Sequence, residues 1–426
     1  MSAGRFINLI GKVNELEPHA GCGPLLQAFT DGSIPLRQQV FEYVRAYGRA
    51  ARADISNALG ISAGSATTAT AELIARGYLR EIDAITKETG RGRPKVALEV
   101  VPQAAYVIGI KLAFKRHRAV LVDFAGNVVA DVSRPSSDVR RSLAQLLDEI
   151  SDLIHCVLAK SDRDPKDIRA VGIGLPGIID YQTGSVAWSP LLNSENADLS
   201  VGFALGHKMP LFLDNDANMV TLAELWFGEA RGLSDFAVVT VESGVGMGLV
   251  LRNQLYRGAH GMGLELGHTK VQLDGALCQC GQRGCLEAYV ADYALVREAA
   301  TALGQGADTE GRPEDILATL FEQAKLGHQA AETIFRRAGR YLALGLSNVV
   351  QLFDPALIIL SGERMQYDYL YAEEVVAAME ELTLSAGRKP CRVAINAWDD
   401  LVWARGAAAM ALSNVTASII DEVRVT

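Results

Sequence analysis

The order strand–strand–strand–helix–strand is written twice in this chain, and that repetition narrows the fold more than any other feature. The first copy opens at Ala104, with apolar extended runs at Tyr106–Lys111 and Ala119–Phe124, the turn Ala125-Gly126-Asn127, and a third run at Val128–Val132. A helix follows over Ser142–Lys160, with Leu143, Leu146, Leu147, Ile150, Ile154 and Val157 on its buried side. The strand Ala170–Ile173 then runs into Gly174-Leu175-Pro176-Gly177. The second copy has strands at Phe236–Val241, Met247–Leu251 and Gln254–Tyr256, with Arg252-Asn253 as the turn. A long helix over Ala330–Phe353, a strand at Leu357–Ser361 and an alanine-rich helix from Gly406 complete it. Runs of this length, bounded by turn residues and alternating with helical periodicity, predict an α/β protein. A duplicated meander predicts two α/β lobes around a cleft rather than one doubly wound domain.

Ahead of the repeat lies a segment of different character. Leu36, Val40, Val44 and Tyr47 share one helical face, with Phe41 beside them, and Gly48 ends that helix. A short helix over Arg52–Leu59 and the turn at Gly60-Ile61 lead to Ser62, a suitable N-cap for a third helix from Ala63 to Arg76. Ala66, Ala69, Leu73 and Ile74 are its expected buried residues. An extended segment after Gly77, a polar loop at 86–95 and a strand from Val96 form a hairpin. Three short helices and a hairpin in this order predict a winged helix-turn-helix. Its third helix would enter the major groove of DNA, with Ser65, Thr67 and Thr68 facing base edges or phosphates. Arg91 and Arg93, in Arg-Gly-Arg-Pro at the wing tip, suit a minor groove or a phosphate track. The expected division is an extension over 1–30, the winged helix over 31–101 and a body over 102–426. Within the body, one lobe takes about 102–218 plus the C-terminal helix, and the other about 219–400.

Charge supports that division. The net charge of −9 is uneven: residues 31–100 balance at +2 and residues 101–426 at −11. A body this acidic does not bind nucleic acid over its whole surface, whereas a slightly basic front can. No apolar run approaches membrane-spanning length, and residues 1–30 lack the basic and apolar blocks of a secretory signal, so a cytoplasmic protein is expected.

Three of the six cysteines fall within eight residues, at Cys278, Cys280 and Cys285, ten residues after His268. Three thiolates and an imidazole make a closed tetrahedral set for Zn²⁺. With four protein ligands and no open position, one structural ion per chain is expected. Gly281 and Gly284 let the chain wrap tightly enough for the thiols to converge.

Glu265-Leu266-Gly267-His268 followed by Cys-Gln-Cys-Gly-Gln-Arg-Gly-Cys-Leu-Glu (278–287) resembles the paired signature of the ROK family of repressors, open reading frames and kinases. The resemblance spans roughly residues 104–415. Gly-Ile-Gly-Leu-Pro-Gly (172–177), Asp-Asn-Asp-Ala-Asn (214–218) and Gly-Val-Gly-Met-Gly (244–248) also fall in family order. It implies a two-lobed actin-like (ribonuclease H-like) ATPase fold behind the winged helix. It also implies a sugar pocket built from Asn215, Asp216, Glu265, His268 and Glu287, with Asp216 at the position of a kinase base. The chemistry fits: carboxylates accept two hydroxyls of a sugar ring, while asparagine and histidine donate or accept the others.

The same resemblance exposes departures from the kinase pattern. Where kinases carry Asp-x-Gly-Gly-Thr-Lys for the nucleotide phosphates, this chain reads Lys111-Leu112-Ala113-Phe114-Lys115-Arg116. Glu242 and Met247 stand where the second phosphate hairpin prefers glycines, and Ser361-Gly362-Glu363 replaces a glycine-rich turn. The expectation is therefore a sugar-responsive transcriptional regulator, acting as a repressor on operator DNA as a homodimer or dimer of dimers. An ATP-dependent sugar kinase with a fused DNA-binding domain is the alternative. Ser189-Pro190-Leu191-Leu192-Asn193 lacks the family's usual Pro-Asn-Leu run, which leaves the effector's identity open.

Overall fold

Val40, Phe41 and Val44 recur at the spacing of one helical face, and in the computed structural model all three are fully buried on α1 (Leu36–Tyr47). Residues 21–25, 34–83, 96–137, 139–259, 261, 263–302, 312–362, 365, 373–387, 389–396 and 400–421 are described. After α1 come β1 (Ala50–Ala51), α2 (Arg52–Leu59) and α3 (Ala63–Ala75). The left-handed backbone of Gly60 ends α2, and Ser62 caps α3 by accepting from the Ser65 N–H at 3.0 Å. β2 (Leu79–Asp83) and β3 (Val96–Val100) pair antiparallel, and the two-residue β1 adds to the free edge of β3. The predicted hairpin is thus a three-stranded sheet. Strand β1 escaped the sequence because two alanines carry no strand signal.

The first lobe holds β4 (Tyr106–Lys111), β5 (Arg116–Asp123), β6 (Val128–Pro135), α4 (Leu143–Ser161) and β7 (Ile168–Leu175). A small hairpin, β8 (Ile178–Asp180) and β9 (Ser185–Trp188), precedes α5 (Leu199–Gly206), β10 (Leu211–Asn215) and α6 (Asp216–Phe227). Its sheet runs β10-β7-β4-β5-β6, with β4 to β6 an antiparallel meander and β7 and β10 added in parallel.

The second lobe repeats the plan. It contains β11 (Phe236–Val241), β12 (Val245–Leu251), β13 (Gln254–Tyr256), α7 (Glu287–Val290), α8 (Asp292–Ala302), α9 (Pro313–Lys325), α10 (Gln329–Phe353), β14 (Leu357–Ser361), α11 (Glu373–Leu382) and β15 (Arg392–Ile395). The sheet order β13-β12-β11-β14-β15 reproduces that of the first lobe, meander on one side and parallel strands on the other. Two such sheets are the actin-like, ribonuclease H-like architecture. The first lobe's buried core joins its sheet to α4, and the second's joins its sheet to α7, α8 and α10.

The last helix, α12 (Val402–Asp421), packs on the first lobe's sheet and on α6. It comes close because its inner residues are small: Ala404, Ala407, Ala408 and Ala411 are fully buried. The sheet side must be small too. A Cβ on Gly109 would fall 2.0 Å from the Ala404 carbonyl oxygen, and one on Gly172 2.1 Å from that of Ala407. The described residues divide into two compact units, Met1–Ser234 with Asp400–Thr426, and Asp235–Asp399. The winged head therefore belongs to the unit of the first lobe.

Within that unit the head is seated by aromatic and polar contacts. Phe41 meets Phe124 with ring centroids 4.6 Å apart, and Tyr78 approaches the same ring edge-on at 6.0 Å. Residues 21–25 thread beside both: Cys22 N–H donates to the Arg45 carbonyl at 3.0 Å, and Gly23 N–H to that of Trp226 at 2.8 Å. Arg231 Nε donates to the Gly23 carbonyl at 2.8 Å, and its guanidinium also reaches the Ala46 carbonyl.

Candidate metal and effector centre

His268 closes a single tight turn, Leu266–His268, that follows Glu265 directly. Cys278, Cys280 and Cys285 come from the loop after it, folded back by Cys278 N–H to Gln282 O (2.8 Å) and Val271 N–H to Gly284 O (2.9 Å). Gly281 and Gly284 both adopt positive φ, at 85° and 77°. At Gly284 a side chain is also barred by space, since a Cβ would lie 1.7 Å from the Gln272 carbonyl oxygen.

The imidazole and three thiols converge. Their ligand atoms all lie within 4.8 Å of one another, with Cys278 Sγ 3.7 Å from His268 Nδ1 and Cys280 Sγ 3.7 Å from Cys285 Sγ. Bonds of about 2.0–2.3 Å to a tetrahedral Zn²⁺ require ligand separations of roughly 3.5–3.8 Å, so the donor set fits that ion. Burial pushes the Cys278 thiol pKa up, and a divalent cation would displace its proton on binding. Lys270, which the sequence reading missed, sets Nζ 2.9 Å from Cys285 Sγ and 3.3 Å from the His268 carbonyl oxygen. A positive charge at this place favours the deprotonated sulfur that a metal would require. A lysine two residues beyond the histidine was the only signal of it.

Glu287 begins α7 beside this centre and is 8% exposed. One carboxylate oxygen accepts from the Val245 N–H at 3.3 Å, and the other lies 3.5 Å from Cys278 Sγ and 3.4 Å from the Tyr293 hydroxyl. Glu265 is exposed. The second unit therefore gathers His268 and Glu287 around the thiol cluster, with Glu265 three residues before the histidine at the start of the same turn.

In the first unit, Asn215 and Asp216 stand where β10 passes into α6. Asn215 is the N-cap, its Oδ1 accepting from Ala217 N–H at 2.8 Å while Nδ2 donates to the Gly177 carbonyl at 2.9 Å. Asp216 opens the helix and accepts from the same Ala217 N–H at 2.9 Å. Burial raises its carboxyl pKa, while the nearby Lys111 charge pulls in the other direction. Asp214 is a buried brace, with Oδ1 accepting from Asn215 N–H and from Asn218 Nδ2 at 2.8 and 2.7 Å.

Lys111 itself is engaged. Its Nζ is 2.7 Å from Asp400 Oδ1 and 3.7 Å from the Trp403 ring centre, and Arg118 Nε holds Asp400 Oδ2 at 2.9 Å. Phe114 packs half-buried against the first lobe's core.

On the head, Thr67 and Thr68 are exposed on α3, whereas Ser65 is half-buried with its hydroxyl 2.9 Å from that of Ser62. The Thr67 hydroxyl donates to the Ala63 carbonyl at 2.8 Å. Arg91, Arg93 and Glu363 lie outside the described residues.

Two ribonuclease H-like units in one chain, with a winged-helix head built onto the first, place the protein among the actin-like ATPase folds that carry an added helical domain. Comparison with known proteins narrows that class. The ROK family model matches residues 107–414, and the chain belongs to this family. It is similar to the xylose repressor of Caldicellulosiruptor bescii, 28% identical over 369 residues that cover 85% of this chain and 92% of the relative. Among solved structures it resembles a ROK family transcriptional regulator described as a homologue of the Escherichia coli Mlc protein. That likeness has a TM-score of 0.74 at 24% identity and covers 90% of this chain and 96% of the other. It also resembles the ROK hexokinase of Thermus thermophilus, with a TM-score of 0.63 at 27% identity, over 73% of this chain and 99% of that one. Among the described residues no helix is long and apolar enough to cross a membrane.

Proposed function

We propose that this chain is a sugar-responsive transcriptional repressor that binds double-stranded operator DNA through its winged helix and releases or tightens it on binding a sugar or sugar derivative. The observation that carries the reading is the head: α3 is capped and presents Thr67 and Thr68 to solvent, and α1 is joined to the first lobe's unit by the buried contact of Arg45 with Thr416. The likeness to a xylose repressor, which covers 85% of this chain, supports it. Thr67, Thr68 and Ser65 lie toward the major groove, and Arg91 and Arg93 on the wing take phosphates or the minor groove.

In this reading the effector's hydroxyls are taken by Glu265, His268 and Glu287, with Asn215 and Asp216 as further partners. His268 Nδ1 faces the thiols, which leaves Nε2 for a hydroxyl. His268, Cys278, Cys280 and Cys285 hold one Zn²⁺, whose closed coordination contributes folding free energy and orientation. The protein acts in the cytoplasm as a homodimer or dimer of dimers. Effector contacts that differ between two states of the body change the spacing of two heads, and operator affinity changes by that difference.

The kinase alternative meets three obstacles in the residues themselves. Phosphoryl transfer is mostly positioning and charge neutralisation of the nucleotide phosphates. Here Lys111 stands in place of the acid that metal binding would use and is neutralised by Asp400. Phe114 occupies the phosphate hairpin, and Glu242 adds negative charge where phosphates would lie. A coupled ATP-consumption assay over a hexose and pentose panel tests this. Turnover below the range of ordinary enzymes is expected, and a rate above about 1 s⁻¹ on any sugar overturns the regulator reading.

A further inference from the structure

We propose that Tyr293 is a positioning residue that ties the thiol centre to the effector carboxylate Glu287, so that metal retention and effector binding are coupled through one hydroxyl. The proposal rests on the assignment of Glu287 to the effector and of Cys278 to the metal. Tyr293 sits in the first turn of α8, half-buried, with its hydroxyl 3.5 Å from Cys278 Sγ and 3.4 Å from Glu287 Oε1. Those two acceptors are 3.5 Å from each other. The far carboxylate oxygen is held by the Val245 N–H at 3.3 Å, so the near one is where an incoming hydroxyl would compete with Tyr293 and Cys278.

The chemistry follows from counting protons. With the thiol free, Cys278 can donate to Glu287. Once a cation has displaced that proton, sulfur and carboxylate become two acceptors in contact, and the Tyr293 O–H is the donor placed between them. A sugar hydroxyl donating to Glu287 Oε1 relieves the carboxylate and lets Tyr293 turn fully to the thiolate. Effector therefore tightens the hold on the metal, and by reciprocity the metal tightens the hold on effector. Neighbours of metal ligands that act in this way typically change affinity by 10–100-fold when removed.

The test uses full-length, zinc-loaded protein and a double-mutant cycle on the rate of zinc release to a colorimetric chelator. Tyr293→Phe removes only the hydroxyl and is expected to speed release about tenfold. In a Glu287→Gln background the anion that Tyr293 shields is gone, so the same substitution is expected to change the rate far less. Factors that multiply to within twofold would show the two side chains act independently and overturn the proposal. If Tyr293→Phe lowers the melting temperature of the metal-free protein, 3-fluorotyrosine at 293 keeps ring and hydroxyl and must restore slow release; fast release in that protein refutes the hydroxyl's role. Thermal shifts with D-xylose, D-glucose and N-acetyl-D-glucosamine form the second arm. A sugar that stabilises wild type and Tyr293→Phe equally sinks the link to effector. If none stabilises wild type, the sugar reading has failed with these probes, and the zinc cycle still decides the link between Tyr293, Cys278 and Glu287.

Discussion

Arg45 on the first helix of the head donates from its guanidinium to the hydroxyl of Thr416 on the last helix of the chain, at 2.7 Å. Both residues are buried, at 2% and 0% exposure. The Arg45 guanidinium also lies 4.6 Å from the Trp226 ring centre and 5.2 Å from that of Phe41. A buried cation that joins the head to α12 in this way ties the head's orientation to the unit of the first lobe. Arg45→Met keeps the stem's volume and removes the charged donor. It should lower stability by about 1.5–3 kcal/mol, the range for hydrogen bonds to charged groups. Operator affinity should become insensitive to effector while the isolated head fold, followed by amide exchange over α1 to α3, is retained.

The metal and the carboxylates separate by mutation. Cys285→Ser removes one of four ligands and should cost zinc, stability of the second unit and effector response together. Glu265→Ala lies outside the ligand set and should lose effector response with zinc stoichiometry unchanged. Elemental analysis paired with thermal-shift titration reads both. Zinc loss from the Glu265 variant would contradict the coordination assigned here.

Acid should weaken the first lobe through His117. This side chain is 2% exposed, with Nδ1 accepting from Ala113 N–H at 3.2 Å and Nε2 paired to Glu149 at 2.8 Å, while Arg141 also binds Glu149. Burial depresses the His117 pKa below its ordinary 6.5, against the pull of Glu149 and with a smaller push from Arg141. The unfolded chain therefore takes up the proton first as pH falls. Stability due to this group is complete above about pH 6.5 and declines as pH drops below it. Urea unfolding at pH 7.5 and pH 5.5 should show the loss, and His117→Asn should reduce the difference. An unchanged difference would place the acid sensitivity elsewhere.

On the wing, Arg91→Ala with Arg93→Ala should weaken binding to all DNA sequences alike. Each lost phosphate contact lowers the slope of log affinity against log salt by about 0.9. Altered preference at one base pair with an unchanged slope would mean that the wing reads bases.

Much of the fold was legible because it is local. The meanders, α4 with its Ser142 capping box, and the cysteine loop are each signalled within a few dozen residues by period, cap or spacing. The contacts that govern communication are not local. Arg45 and Thr416 are 371 positions apart, and Lys111 and Asp400 are 289 apart. An arginine between Val44 and Ala46 looks like a solvated helix residue until Trp226, Cys22 and α12 close around it. Tyr293 likewise looks like a core aromatic at helical spacing. Its hydroxyl acquires meaning only when the cysteine loop folds back on α7. Ser65 is placed toward DNA by its helical position alone, and its hydroxyl also meets that of Ser62 at 2.9 Å, the kind of local bond that short hydroxyl side chains make at helix starts.

The central claim is that one sugar changes the affinity of one chain for DNA. Fluorescence anisotropy of a duplex, selected by this protein from a random library, measures it directly when titrated with full-length zinc-loaded protein with and without each sugar of a panel. The account predicts that at least one sugar shifts operator affinity by 5- to 150-fold, the usual range of allosteric coupling, and that Glu287→Gln abolishes the shift without weakening sugar-free DNA binding. Tight, sequence-specific binding that no sugar or sugar derivative alters, or no duplex selected at all, would contradict it.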